Sequence, residues 1–417
     1  MLDEGTSLRR EPIKSMAILG AGVMGVEIAA ANLHCGLRVV MTDTNPNALA
    51  AVPARIKSEL AKYERRGRAS GTVCSQAEPG NKVEVTTDDK RIAACDLILE
   101  TVVEDAAVKR QVYGRLEPRL AAHSILGTNT STIPIGELAA ELDKPERFCG
   151  IHFCHPVHIN PLIEIIPGPK TSMETVFASV DYAKMLGKMP IIVEDGPGFL
   201  VNRLLLRYND EAVHLLMDGV GVEQIDRVAT EFGMAMGPFR ILDEIGLDTS
   251  LSAGKVLLNA FPDRVAKLPI LPLLVKRKQL GQKSGAGFYR YSRSSPELPF
   301  ENSVGLNPEA MEIIEHYAKK ENPPSEEEIL HRLLFAMILE ATFILEEKKR
   351  LDPREIDLSM ICGLGFPQDK GGLLYWADEI GAGKILEMVE IYEPLGKRFQ
   401  PTMMLRELAK SGKKFYE

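Results

Sequence analysis

The sequence predicts an α/β protein: a doubly wound, mainly parallel sheet at the N-terminus, then two all-helical domains related by duplication. Three observations carry this. Short apolar runs alternate with helix-like segments from about residue 14 to 194, helical periodicity takes over from Gly198, and a stretch starting at Asn202 is echoed by one starting at His331. A chain of 417 residues has room for more than one core.

Residues 1–13 read as a tail. They lack an apolar signal region and carry Asp3 and Glu4, which argues against a targeting peptide. The first structured segment, SMAILGAGVMGVEIAAANLHCGLRVVMTD, reads as a βαβ unit, with a glycine turn between an apolar run and a helix-like stretch and a second apolar run ending in Asp43. Further runs at CDLILETVV, SILGTNT, FCGIHF, PLIEIIP and MPIIVED complete a sheet domain over 14–194. Val201, Leu204, Leu205, Tyr208, Ala212 and Leu215 recur at three- and four-residue steps and open a helical domain assigned to 195–292. The Ser-, Pro- and Glu-rich stretch from 293 to 325 reads as a linker. HRLLFAMILEATFILEEKKRLDPREID then echoes NRLLLRYNDEAVHLLMDGVGVEQID, and both copies continue through a Gly/Pro turn to DEIG, so 326–417 reads as a second copy of the helical domain. The copies start 129 residues apart, too far for a solenoid period.

Composition excludes several classes. Hydrophobic residues at 45% and charged ones at 26% are globular values, against disorder. No apolar run reaches the roughly 18 residues of a membrane span, so membrane insertion is not expected. A net charge of −8 lacks the basic excess of a nucleic-acid binder. Six scattered cysteines without a Cys-x-x-Cys pair fit a reducing compartment, the cytoplasm by default.

Gly20-Ala21-Gly22-Val23-Met24-Gly25 lies between a predicted strand and a predicted helix. Glycines there let backbone N–H groups approach a pyrophosphate, whose charge the helix N-terminus stabilises. Asp43, 23 residues after Gly20, is placed to accept from ribose hydroxyls and to repel a 2′-phosphate, which favours NAD over NADP. The alternative is a tight turn without a ligand.

In RFCGIHFCHPVHINPLIEIIP, strand alternation puts His152 and Cys154 on one face. Glu164 interrupts an apolar run and needs a partner, for which His152 is the candidate. A carboxylate on one ring nitrogen would orient the imidazole and leave the other to move a proton; the competing reading is a structural buried pair. His152, His155 and His158 beside Cys149 and Cys154 raise a metal site, but ligands on one short strand point to alternating faces, so none is expected. Asn129, Thr130 and Ser131 offer polar groups at the sheet's carboxyl edge, or merely form a turn. Asn202 falls in the first turn of a helix, and Arg65, Arg66 and Arg68 form a basic cluster that is either a solvated helix end or a phosphate contact.

GAGVMG with Asp43, NTS at 129–131, HFCHPVHINPLIEII, DGPGFLVNRLL, GMAMGPF and KSGAGFYRY together resemble the 3-hydroxyacyl-CoA dehydrogenase family, over residues 14–417. The duplicated helical domain ending in GLGFPQDKGG is most similar to the dehydrogenase half of multifunctional fatty-acid-oxidation enzymes. With no room for their enoyl-CoA hydratase domain before residue 14, a free-standing dehydrogenase is expected. The resemblance implies NAD-dependent, reversible oxidation of (S)-3-hydroxyacyl-CoA, with His152 as the catalytic histidine, Glu164 its acidic partner, and Ser131 and Asn202 holding the substrate oxygen. It implies cofactor contacts at Asp43, Glu104, Lys109 and Lys283, and a contact to the CoA portion near Arg66. A monomer or homodimer and association with other β-oxidation enzymes are both compatible with it. Two departures stand out: the family's HFFNP reads HFCHP here, with Cys154 and His155, and Asn202 becomes His331 in the second copy, which is therefore expected to be structural. The rival readings are a non-catalytic NAD-binding scaffold and an NAD-linked dehydrogenase of another hydroxy acid.

Overall fold

The structure, a computed structural model, describes residues 12–70, 83–292, 303–319, 322–347 and 351–416, the side chains of 66–70 and 303 excepted. The chain divides into two units, Met1–Phe199 and Leu200–Glu417.

The first unit holds an eight-stranded sheet: β1 Ser15–Leu19, β2 Arg38–Thr42, β3 Glu84–Val85, β4 Leu97–Glu100, β5 Ile125–Thr128, β6 Phe148–Phe153, β7 Leu162–Pro167 and β8 Met189–Ile192. Their order is β3-β2-β1-β4-β5-β6-β7-β8, so each apolar run of the sequence forms a strand. β1, β2 and β4 to β7 are almost wholly buried, as expected for a sheet covered by helices on both faces, whereas the edge strand β3 is not. Strand order reverses at β1, where β2 lies on one side and β4 on the other, and the carboxyl ends there make the crevice that takes ligands in such sheets. Every pairing is parallel except β6 with β7. The connection from Phe153 to Leu162 is shorter than the crossover of about a dozen residues that a parallel pair needs. That antiparallel turn sets His152 directly opposite Glu164 in register.

The second unit is helical and contains both sequence copies. Its long helices Val201–Met217 and Glu326–Glu347 bury the periodic residues Val201, Leu204, Leu205, Tyr208, Ala212 and Leu215 of the first copy and Leu333, Leu334, Ile338 and Ala341 of the second. Arg203 and Arg332 are equivalent in the duplication, as are Glu211 and Glu340, and they pair reciprocally. Arg203 Nε donates to Glu340 Oε1 at 2.8 Å and Arg332 Nε to Glu211 Oε1 at 2.6 Å, all four side chains buried. The repetition continues to the ends of both copies: Tyr289 donates its hydroxyl to Asp226 and Tyr416 donates to Asp357.

Part of the 293–325 stretch, expected as a linker, is regular structure. Ser303–Leu306 (β10) pairs antiparallel with Tyr289–Tyr291 (β9), and Pro308–Tyr317 is a helix capped by Asn307. The Asn-Pro pair that reads as loop punctuation is an N-cap followed by proline at the first helical position. Among the described residues no helix is long and apolar enough to cross a membrane.

Candidate functional site

The glycine turn is sealed to its neighbours by backbone bonds. Gly20 N–H donates to the Thr42 carbonyl at 2.8 Å, and Thr101 N–H to that of Leu19 at 2.8 Å. Gly20 has φ +114°, and a Cβ there would meet the Thr101 carbonyl oxygen at 2.7 Å; a Cβ on Gly25 would lie 2.0 Å from the Gly20 oxygen. Both are therefore fixed as glycine by sterics. Gly22 differs: a Cβ there would enter open space, beside the start of the helix Val23–His34, whose N-terminus has no side-chain cap. Open space, uncapped first-turn N–H groups and the helix dipole fit a dinucleotide pyrophosphate. Asp43 closes β2, with Oδ2 accepting from Ala21 N–H at 2.6 Å and Oδ1 from Asn45 N–H at 2.7 Å, so its carboxylate sits against the turn. Arg55, which sequence reasoning missed, donates to the carbonyls of Ala21 and Gly22. Val23 is 60% exposed and Met24 half-buried.

The carboxyl end of β6 carries the second part. His152 Nδ1 lies 2.7 Å from Glu164 Oε2, and both residues are buried. An ionised carboxylate only accepts, so Nδ1 carries the proton and Nε2 is left as the acceptor. The Phe199 ring centroid is 6.1 Å from that of His152, and Phe199 holds φ +50°, a conformation uncommon for a bulky residue and typical of functional sites. Asn129 Oδ1 accepts from Phe153 N–H at 2.9 Å, tying the turn after β5 to the strand of His152. His155 lies two residues past the end of β6. It faces Glu27, which also accepts from Val157 N–H at 2.8 Å. Burial raises the Glu27 pKa, but these bonds outweigh it and the carboxyl lies below its ordinary value.

Glu104 organises the Asn129–Thr132 turn. One oxygen accepts from Thr130 Oγ1 at 2.6 Å, Ser131 N–H at 2.9 Å and Thr132 N–H at 3.2 Å, with Ser131 Oγ at 3.4 Å, and the other faces Lys109 Nζ at 3.1 Å. Burial raises the Glu104 pKa, and Lys109 and these donors more than reverse it. Lys109 is only 1% exposed and also bonds Glu100 at 2.8 Å. Glu100 further accepts from Tyr113 and Thr128 hydroxyls, a buried network that the sequence signalled by a carboxylate ending the apolar run LILE.

Gly20, Gly22, Val23, Met24, Gly25, Asp43, Glu104, Ser131, His152 and Glu164 thus lie along the carboxyl edge of one sheet, with Lys109 behind Glu104. The second unit holds the remaining two described candidates: half-buried Asn202 in the first turn of Val201–Met217, and Lys283, paired with Asp248 at 2.5 Å. The Arg66 side chain lies outside the described residues.

The model of the 3-hydroxyacyl-CoA dehydrogenase NAD binding domain matches residues 15–196, and that of the 3-hydroxyacyl-CoA dehydrogenase C-terminal domain matches 198–291 and again 329–415. The chain is 36% identical over 406 residues to the fatty acid oxidation complex subunit alpha of Pseudomonas savastanoi pv. phaseolicola, covering 97% of this chain and 56% of that protein. It thus spans little more than half that relative's length. Among solved structures, 3-hydroxybutyryl-CoA dehydrogenase from Escherichia coli K12 superposes with TM-score 0.79 at 25% identity, over 98% of this chain and all of that one. (S)-3-hydroxybutyryl-CoA dehydrogenase PaaH1 from Ralstonia eutropha gives 0.60 at 34% identity, over 67% of this chain and 100% of that one. With its NAD-binding domain at the N-terminus and the C-terminal domain matched twice, the chain belongs to the 3-hydroxyacyl-CoA dehydrogenase family of NAD-dependent oxidoreductases.

Proposed function

We propose that this chain catalyses the reversible oxidation of (S)-3-hydroxyacyl-CoA to 3-ketoacyl-CoA, within fatty-acid β-oxidation or related acyl-CoA metabolism. The observation that carries this reading is the buried His152–Glu164 pair at the carboxyl edge of a dinucleotide-binding sheet. When bound, NAD supplies the acceptor for the hydride that leaves C3. His152 Nε2 takes the 3-hydroxyl proton during oxidation and returns it during reduction. Glu164 holds the ring in one tautomer and balances the imidazolium as it forms, a role its position opposite His152 supports. Ser131 and Asn202 hold the substrate oxygen. Gly20, Gly22, Val23, Met24 and Gly25 seat the cofactor phosphates and Asp43 its ribose. Glu104 and Lys283 are cofactor contacts; Lys109, which the resemblance implies as a contact, is buried against Glu100 and Glu104 and so acts by positioning Glu104. Arg66 contacts the CoA portion.

The chain works in a reducing compartment, the cytoplasm, a reading supported by six cysteines scattered along the sequence without a Cys-x-x-Cys pair. Association with other β-oxidation enzymes is supported by the name of the Pseudomonas relative, a subunit of a fatty acid oxidation complex. The test is NADH oxidation by the purified protein with 3-ketoacyl-CoA thioesters from four carbons to long chain, with free 3-keto acids as controls. A rate confined to thioesters supports the assignment; equal rates with free acids, or none with any thioester despite NADH binding, contradict it.

A further inference from the structure

We propose that Cys154, His152 and Glu164 form a binding site for a thiophilic divalent cation, Zn²⁺ above all, and that its occupancy switches the enzyme off. The inhibitory part rests on the proton-transfer role proposed above for His152; the site itself rests on geometry. Cys154 directly follows β6, two residues after His152, and Glu164 stands across from His152 on β7. One donor atom from each residue lies within 4.8 Å of the other two, and all three residues are buried. Among the described residues this is the one group of His, Cys, Asp or Glu side chains so placed.

The donor chemistry suits the ion. Imidazole nitrogen, thiolate sulfur and carboxylate oxygen are all zinc donors, and bond lengths of about 2.0–2.3 Å imply ligand-to-ligand distances of roughly 3.3–3.8 Å. Side-chain rotations closing the triangle by about 1 Å reach that geometry. Charge also balances. Binding releases the Cys154 thiol proton, the Nδ1 proton can move to Nε2, and a thiolate plus a carboxylate neutralise the 2+ charge, which permits burial. Three protein ligands leave a fourth position for water. The metal ties up the imidazole and its carboxylate partner together, so the pair that moves the proton is lost. Where the family carries phenylalanine, the Cys154 thiol is what turns a proton-transfer pair into a three-donor set.

The test is titration of the apo protein with Co²⁺, followed by displacement with Zn²⁺ and by NADH-oxidation assays across zinc concentrations. One equivalent of Co²⁺ is expected to give a near-ultraviolet sulfur-to-cobalt charge-transfer band that Zn²⁺ abolishes. Cys154→Ser should lose the band and raise the zinc concentration for half-inhibition at least about tenfold, since one of three protein donors is gone. Should that variant not fold, Glu164→Gln serves in its place, with cobalt affinity expected to fall at least about tenfold. No band in the wild type, a band retained in Cys154→Ser, or undiminished cobalt affinity in Glu164→Gln would overturn the site. The band needs no substrate. Its formation in a protein without turnover would count against the dehydrogenase reading alone, whereas turnover without a band would count against the metal site alone.

Discussion

At the level of single residues, the proposed chemistry and cofactor choice rest on carboxylates at the end of an apolar run, Asp43, or inside one, Glu164. Asp43 places its carboxylate against the glycine turn, where a 2′-phosphate would meet a negative charge. Replacing Asp43 with Ser should lower the NADH-to-NADPH ratio of kcat/KM by about tenfold or more, measured by steady-state assays with each cofactor. An unchanged ratio would move cofactor discrimination elsewhere, with Arg55 the next residue to test. The Glu164–His152 partnership was legible because a carboxylate inside PLIEIIP must find a partner. Glu100 gave the same signal, yet its partners Lys109, Tyr113 and Thr128 come from three places in the chain and only folding joins them. Phe199 was illegible for another reason: a positive φ on an aromatic residue leaves no mark in composition or periodicity.

At the scale of elements, the turn after β5 is held by Glu104, whose depressed pKa makes that tie pH-dependent. A carboxylate with a folded pKa below its ordinary 4.5 contributes stability that is present above that value and lost as pH falls through the folded one. Glu27 titrates in the same direction and reinforces the trend. Glu104→Gln should therefore destabilise the protein by about 1–3 kcal/mol at pH 7 and flatten the loss of stability below about pH 4.5. Urea unfolding at pH 7 and at pH 4 checks both; a wild-type-like acid limb in the variant would sink the assignment. Seven strands of the large sheet were well marked in the sequence because each is a short apolar run bounded by turn residues, whereas the two-residue β3 and the β9–β10 pair left no such mark. The turn after β5 was marked as polar only, since the residue that organises it lies 27 positions before Ser131. The helix Pro308–Tyr317 was mistaken for linker because its cap residues are also loop residues.

For the whole molecule, duplication explains the second unit better than two independent helical domains would. Arg203–Glu340 and Arg332–Glu211 are the same contact made twice in opposite senses, as in a twofold interface written into one chain. Arg332→Met removes the bonds to Glu211 and Asp218, leaving Glu211 buried with Arg398 as its remaining partner. Breaking a buried pair on one side costs about 3–5 kcal/mol, whereas Arg332→Met with Glu211→Met should recover much of that loss. Denaturant midpoints of the two variants decide it, and a single variant within about 1 kcal/mol of wild type would show the pair to be dispensable. The repeat itself was visible in the sequence, because the first helix of each copy kept its apolar spacing. That the copies pack through their shared Arg and Glu was not visible, because surface and buried charges look alike in a sequence.

In the proposed reaction the His152–Glu164 pair moves the proton of a 3-hydroxyacyl or 3-ketoacyl thioester. This role is tested most directly by the turnover of acetoacetyl-CoA with NADH in wild type and in His152→Gln, alongside NADH binding by fluorescence. Wild-type turnover, a drop of roughly 10²–10⁴-fold in kcat for the variant, and NADH affinity within about twofold of wild type are expected. A variant that turns over like wild type while binding NADH normally would contradict that role.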